Sequence, residues 1–91
     1  MAIGLYITAP DFTIEKYDTT LAQLEAAGAG APDGRQHHFA LEVDGGIAVF
    51  DVWESMEQFE AFGETLIPIL AAAGVHPDKP MVSEIHNTIA G

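Results

Sequence analysis

Apolar and polar residues alternate with period two in four stretches of the chain and recur every three to four residues in two others, predicting the order strand, helix, strand, strand, helix, strand. Ala2 to Thr8 reads as the first strand, with Ile3, Leu5 and Ile7 on one side and Gly4, Tyr6 and Thr8 on the other. Pro10 and Asp11 end it, and Thr13 or Asp11 can cap the helix that follows. Ile14, Tyr17, Leu21 and Leu24 form one face of that helix, Gly28 stops it, and Ala29 to Gly34 is a loop.

Gln36 to Val43 predicts a second strand, with His37, Phe39, Leu41 and Val43 on one face and His38, Ala40 and Glu42 on the other. Asp44-Gly45-Gly46 predicts a tight hairpin into the returning strand, Ile47 to Trp53. There Ile47, Val49, Asp51 and Trp53 share one face, opposite Ala48, Phe50 and Val52. Ser55-Met56-Glu57-Gln58 fits a capping box, in which the serine hydroxyl accepts from the backbone three residues on and the glutamine reaches back. Met56, Phe59, Phe62, Leu66 and Leu70 form the buried stripe of the second helix, Pro68 is expected to kink or restart it, and Gly74 ends it. After a loop with two prolines, Met81 to His86 predicts a last strand, and Asn87 to Gly91 is a tail.

The order βαββαβ implies a single α+β domain over residues 1–91, with a four-stranded antiparallel sheet, two helices on one face and the second and fourth strands at the edges. Its other face, rich in Ile, Val and Phe, needs a cover. Hydrophobic residues make up 48% of this short chain, more than a thin core requires, so a second copy is the expected cover and the chain is expected to be a homodimer.

Charge narrows the partners. The formal net charge is -11, with Lys16, Arg35 and Lys79 the three bases, which argues against nucleic acid and against an anionic membrane surface. Cysteine is absent, which excludes disulfides and thiolate metal sites. The opening residues lack a signal-peptide pattern, and no stretch reaches the roughly 20 apolar residues of a membrane span, so a cytoplasmic location is expected. Ser-His-Asp order, a phosphate loop, a dinucleotide glycine motif and His-x-x-x-His spacing are all missing, and no metal or cofactor is expected.

The run Val49-Phe50-Asp51-Val52-Trp53-Glu54-Ser55-Met56-Glu57-Gln58-Phe59-Glu60-Ala61-Phe62 resembles the antibiotic-biosynthesis-monooxygenase-like group of the dimeric α/β-barrel (ferredoxin-like) superfamily, in which the third strand ends in a Trp-Glu-Ser-like turn that caps the second helix. The resemblance implies a ferredoxin-like fold pairing into a dimeric barrel, with Trp53 lining a pocket. It spans functions from cofactor-independent monooxygenases on polyketide-like aromatics to haem-degrading enzymes and isomerases. The helix histidine that binds haem iron in some relatives is missing from Phe59 to Thr65, which weakens a haem reading.

Several residues can carry chemistry. His37 is a candidate base if its face meets the helices, while His38 points the opposite way. His86 and Asn87, at the expected end of the last strand, can polarise a carbonyl or hold an enolate. Asp51, on a central strand, needs a partner such as Arg35 or a hydroxyl, or else a raised pKa, and with His37 and His86 it is a candidate catalytic base. Tyr6 and Tyr17 are expected between the sheet and the first helix, and with Trp53 and Asn87 complete a substrate-binding set. These residues suggest an enzyme that deprotonates a small, apolar, enolisable ligand without a cofactor, as a monooxygenase-like or isomerase/cyclase-like catalyst. The alternative is a non-catalytic ligand-binding or stress-related dimeric domain.

Overall fold

The computed structural model describes residues 2–91, and its elements are β1 (Ile3–Ile7), α1 (Ile14–Ala26), β2 (Arg35–Val43), β3 (Gly46–Trp53), α2 (Met56–Ala72) and β4 (Met81–Glu84). The strands form one antiparallel sheet in the order β2-β3-β1-β4, the ferredoxin-like arrangement, with β2 and β4 at the edges. No described helix is long and apolar enough to cross a membrane.

Local chemistry sets the boundaries. Thr13 caps α1 by accepting from the Lys16 N–H at 3.1 Å. Ser55 caps α2 in the same way through the Gln58 N–H at 3.2 Å, and the Gln58 side chain returns to the serine hydroxyl at 2.9 Å. Asp44 and Gly45 both have positive φ, 50° and 78°, which gives the β2–β3 hairpin a primed turn matched to strand twist. Pro68 neither breaks nor restarts α2, which runs on to Ala72. Pro68 and Glu64, whose carbonyl loses its helical donor there, both face solvent, so water can satisfy that oxygen. The α2 C-terminus closes with the Val75 N–H on the Leu70 carbonyl at 2.9 Å, which turns Val75 into the core at 1% exposure.

The core lies between one face of the sheet and both helices. Ile3, Leu5 and Trp53 meet Leu24 of α1 and Phe62 of α2, with Ile7, Phe59 and Leu66 packed around them. Trp53 takes Phe59 edge-on at 5.5 Å and Phe62 tilted at 5.4 Å. On the opposite face no helix packs among the described residues. Phe39, Leu41, Val43 and Met81 are exposed there, and Phe50 and Ile85 close over Gly4, where an added Cβ would lie 3.1 and 3.0 Å from them.

Candidate functional site

The β2–β3 register decides which histidine enters the core. His38 pairs with Asp51 and His37 with Val52, so His38 shares the helix-covered face with Asp51 and Trp53. His37 points to the open face, where it is exposed and stacks on Phe39 at 6.1 Å. The expectation that His37 borders the pocket is corrected: the covered face belongs to its neighbour.

Asp51 is 4% exposed on a central strand, as expected of a carboxylate that needs partners. Those partners are His38 and Trp53, whereas Arg35 makes no ion pair with it. His38 Nδ1 lies 2.6 Å from Asp51 Oδ1, and the Trp53 indole N–H donates to Oδ2 at 3.1 Å. Trp53 is two residues along the same strand, so its indole reaches Asp51 on the same face. On its far side His38 places Nε2 2.7 Å from the Tyr17 hydroxyl, presented by α1. Phe12 braces the Tyr17 ring edge-on at 6.0 Å. Three elements thus build one hydrogen-bonded row: Trp53, Asp51, His38, Tyr17.

The geometry admits one directed arrangement. With Asp51 as a carboxylate, which can only accept, Nδ1 donates to it, and in a neutral ring Nε2 then accepts from Tyr17. Burial raises the Tyr17 pKa; the Arg35 charge opposes that shift, and Asp51 and Asp18 reinforce it. Tyr17 therefore keeps its proton through neutral pH and acts as a phenol.

Beside the row lies a cavity of about 60 Å³. Ile7, Leu24, Val49, Phe62 and Leu66 supply apolar wall, and Tyr17, Thr20, Arg35, His38 and Asp51 the polar groups. A larger hollow of about 410 Å³ lies by the hairpin, between residues 8–13 and 43–48, but Asp11 and Asp44 are its titratable groups and the row does not reach it. The hydrogen-bonded row therefore borders the smaller space. Among the described residues no group of three or more His, Cys, Asp and Glu side chains is placed to hold a metal ion.

The other expected site residues scatter. Tyr6 pairs with Phe50 and Met81 on the open face, so its placement beside the first helix is corrected; its position is even where the covered residues of β1 are odd. Trp53, expected to line the pocket, is fully buried, does not border the cavity and serves instead to fix Asp51. His86 and Asn87 are exposed beyond β4 and border neither cavity. The last strand stops at Glu84, paired with Ile3 at the start of β1, and among the described residues the Ile85 N–H bonds on to the Ala2 carbonyl at 2.9 Å. Arg35 is brought in by a bulge between Arg35 and His37, which leaves Arg35 opposite Trp53 and on the His38 face. Nothing in the alternation signals that bulge.

No protein-family model matches the sequence, and no curated protein matches it significantly. Solved structures do. SnoaB of Streptomyces nogalater, a cofactor-independent oxygenase, is 14% identical with a TM-score of 0.62, covering 99% of this chain and 96% of its own. A candidate antibiotic biosynthesis monooxygenase from Chloroflexus aurantiacus is 17% identical with a TM-score of 0.63 and coverage of 99% and 98%. NE2512 of Nitrosomonas europaea, a protein of unknown function, is 20% identical with a TM-score of 0.64 and coverage of 99% and 92%. The fold is that of antibiotic biosynthesis monooxygenase-like proteins. The fold resemblance read from the Val49–Phe62 run therefore holds over the whole chain. At these identities the monooxygenase-like likeness is one of fold, and the row of side chains has to speak for chemistry.

Proposed function

We propose that the chain is an acid–base enzyme on a small, largely apolar, enolisable molecule, with His38 as the base. One observation carries this reading: Asp51, His38 and Tyr17 are joined at 2.6 and 2.7 Å beside an apolar cavity. A substrate O–H or activated C–H gives its proton to the Tyr17 oxygen as the phenol proton passes to His38 Nε2. Asp51 then faces an imidazolium, and Trp53 holds the carboxylate in place. The substrate is left as an enolate or phenolate. Returning the proton to another carbon isomerises it, and attack on an internal carbonyl cyclises it. With dioxygen as oxidant, a CH₂ becomes C=O, and the second oxygen atom leaves with the two hydrogens as water. The cofactor-independent oxygenase of the same fold supports the last route. No cofactor enters this scheme.

Proton–deuterium exchange at the activated carbon of 2-tetralone in deuterium oxide, followed by NMR, tests it. The wild type should accelerate exchange, and His38→Gln should abolish the acceleration while His37→Gln leaves it intact. Equal rates with and without protein would sink the proposal.

The cavity volume favours a second reading. At about 60 Å³ the space is well below the ~300 Å³ lower end of small-molecule pockets. Catalysis therefore requires the rim, where Phe12 and the 37% exposed Leu21 stand, to open. A closed rim would make the row a staple between α1 and the sheet in a non-catalytic domain. Rates of wild type and His38→Gln on 2-tetralone separate these two readings.

We also propose that the open sheet face pairs with that of a second copy. Phe39 and Met81 are 51% and 71% exposed beside Leu41 and Val43, an apolar surface that a second identical face would bury. Sedimentation at rising concentration should show a dimer; a monomer throughout would remove the pairing.

A further inference from the structure

The chain carries three basic residues against fourteen acids, and among the described residues the ones bordering the relay cavity include one of the three, Arg35. A guanidinium beside an apolar cavity in so acidic a chain would ordinarily be paired with a carboxylate. The ion pair found among the described residues joins His38 and Asp51, and Arg35 has no acidic partner. Its Nη2 donates to the Gly30 carbonyl at 3.0 Å, and its Cζ lies 5.9 Å over the Phe62 ring. These contacts hold the head group in place and use one of its five N–H donors. No buried side-chain nitrogen or oxygen among the described residues lacks a partner, so the remaining donors are reachable from solvent or from the cavity.

Position strengthens the case. The bulge before His37 turns Arg35 onto the face that carries His38 and Asp51, and bulges commonly re-aim a side chain beside a site. Arg35 is also close enough to Tyr17 for its charge to oppose the effect of burial on the phenol. Positive charge and proton relay thus border the same apolar space.

We infer that Arg35 is the specificity-determining group of the site and selects substrates bearing an anionic oxygen, a carboxylate or an enolate, next to the hydroxyl or carbon that the relay deprotonates. The inference rests on the proposed acid–base function. A guanidinium offers two parallel N–H donors to a carboxylate, and low local polarity strengthens the pairing. The net charge of -11 repels anions in general, so discrimination has to come from this one group.

Salicylate and salicylamide form a matched probe pair of equal size that differ in charge. Binding is read by isothermal titration and by the NMR shifts of the His38 ring. Wild type should bind salicylate at least tenfold more tightly than salicylamide. Arg35→Gln should erase that preference while still binding salicylamide, and Arg35→Lys should keep part of it. Circular dichroism confirms that each variant is folded, and should Arg35→Gln fail to fold, Arg35→Lys carries the test. Equal affinity for both probes in the wild type, with His38 shifts from each, overturns the anion preference and leaves the acid–base site standing. A preference that survives Arg35→Gln assigns selectivity to another group and also overturns it. Binding of neither probe removes both the preference and the open pocket on which the proposed function depends.

Discussion

The two faces of the sheet are built from the same alternation and meet opposite ends. On the covered face Leu5 and Trp53 are fully buried, and every polar group of the row finds a partner. On the open face Phe39, Leu41, Val43 and Met81 stay exposed, with His37 stacked on Phe39. Adjacent residues fall on either side of this divide: His38 joins a hydrogen-bonded row, and His37 joins an apolar surface. The difference teaches that chemistry in this fold is assigned by which face the helices cover, since residue type alone treats the two histidines alike.

The comparison can be broken most forcefully by core truncation. Trp53→Ala should cost about 3–5 kcal/mol in urea unfolding, since it removes a buried aromatic and the donor to Asp51. Leu41→Ala on the open face, measured at dilution, should stay within about 0.5 kcal/mol. Equal costs would mean that the open face is already packed within one chain.

Asp51→Asn comes next. The amide cannot accept from both His38 and Trp53, and the loss of a charge-assisted bond should cost about 1–3 kcal/mol. A neutral effect on thermal unfolding would deny the row its structural weight.

Phe39→Glu sharpens the comparison from the other side. The fold should persist by circular dichroism, while association in sedimentation is lost. Unaltered association would place the contact elsewhere.

The smallest effect concerns alkaline pH. The folded-state pKa of Tyr17 lies above the ordinary value of 10.0, so the native state holds this proton longer than the unfolded chain. Stability should fall as pH rises past 10.0 toward the folded value, and Tyr17→Phe should flatten that part of the decline. Identical slopes for the two proteins would contradict the buried phenol.

Much of the fold was legible because its signals are local. Ser55 and Gln58 announce α2, Asp44-Gly45 announces the hairpin, and alternation separates the faces of β2 and β3. Asp51 was legible too, as a carboxylate among apolar residues on a central strand. His38 was not, because alternation yields two faces without saying which one is covered. Tyr6 lies on the open face, which alternation along β1 alone does not distinguish from the covered one. Arg35 was hidden by a bulge that shifts the pairing beyond Gln36, and His86 because β4 runs only from Met81 to Glu84, which alternation does not announce. These are long-range facts, set by pairing and helix placement.

The most direct test of the relay is the tautomer of His38, read from long-range proton–nitrogen NMR correlations at neutral pH with His37 as an internal contrast. The row requires a fixed Nδ1–H ring at His38, with an unprotonated Nε2 accepting from Tyr17, whereas exposed His37 should average between tautomers. A protonated Nε2 on neutral His38, or averaging at both residues, would contradict the account.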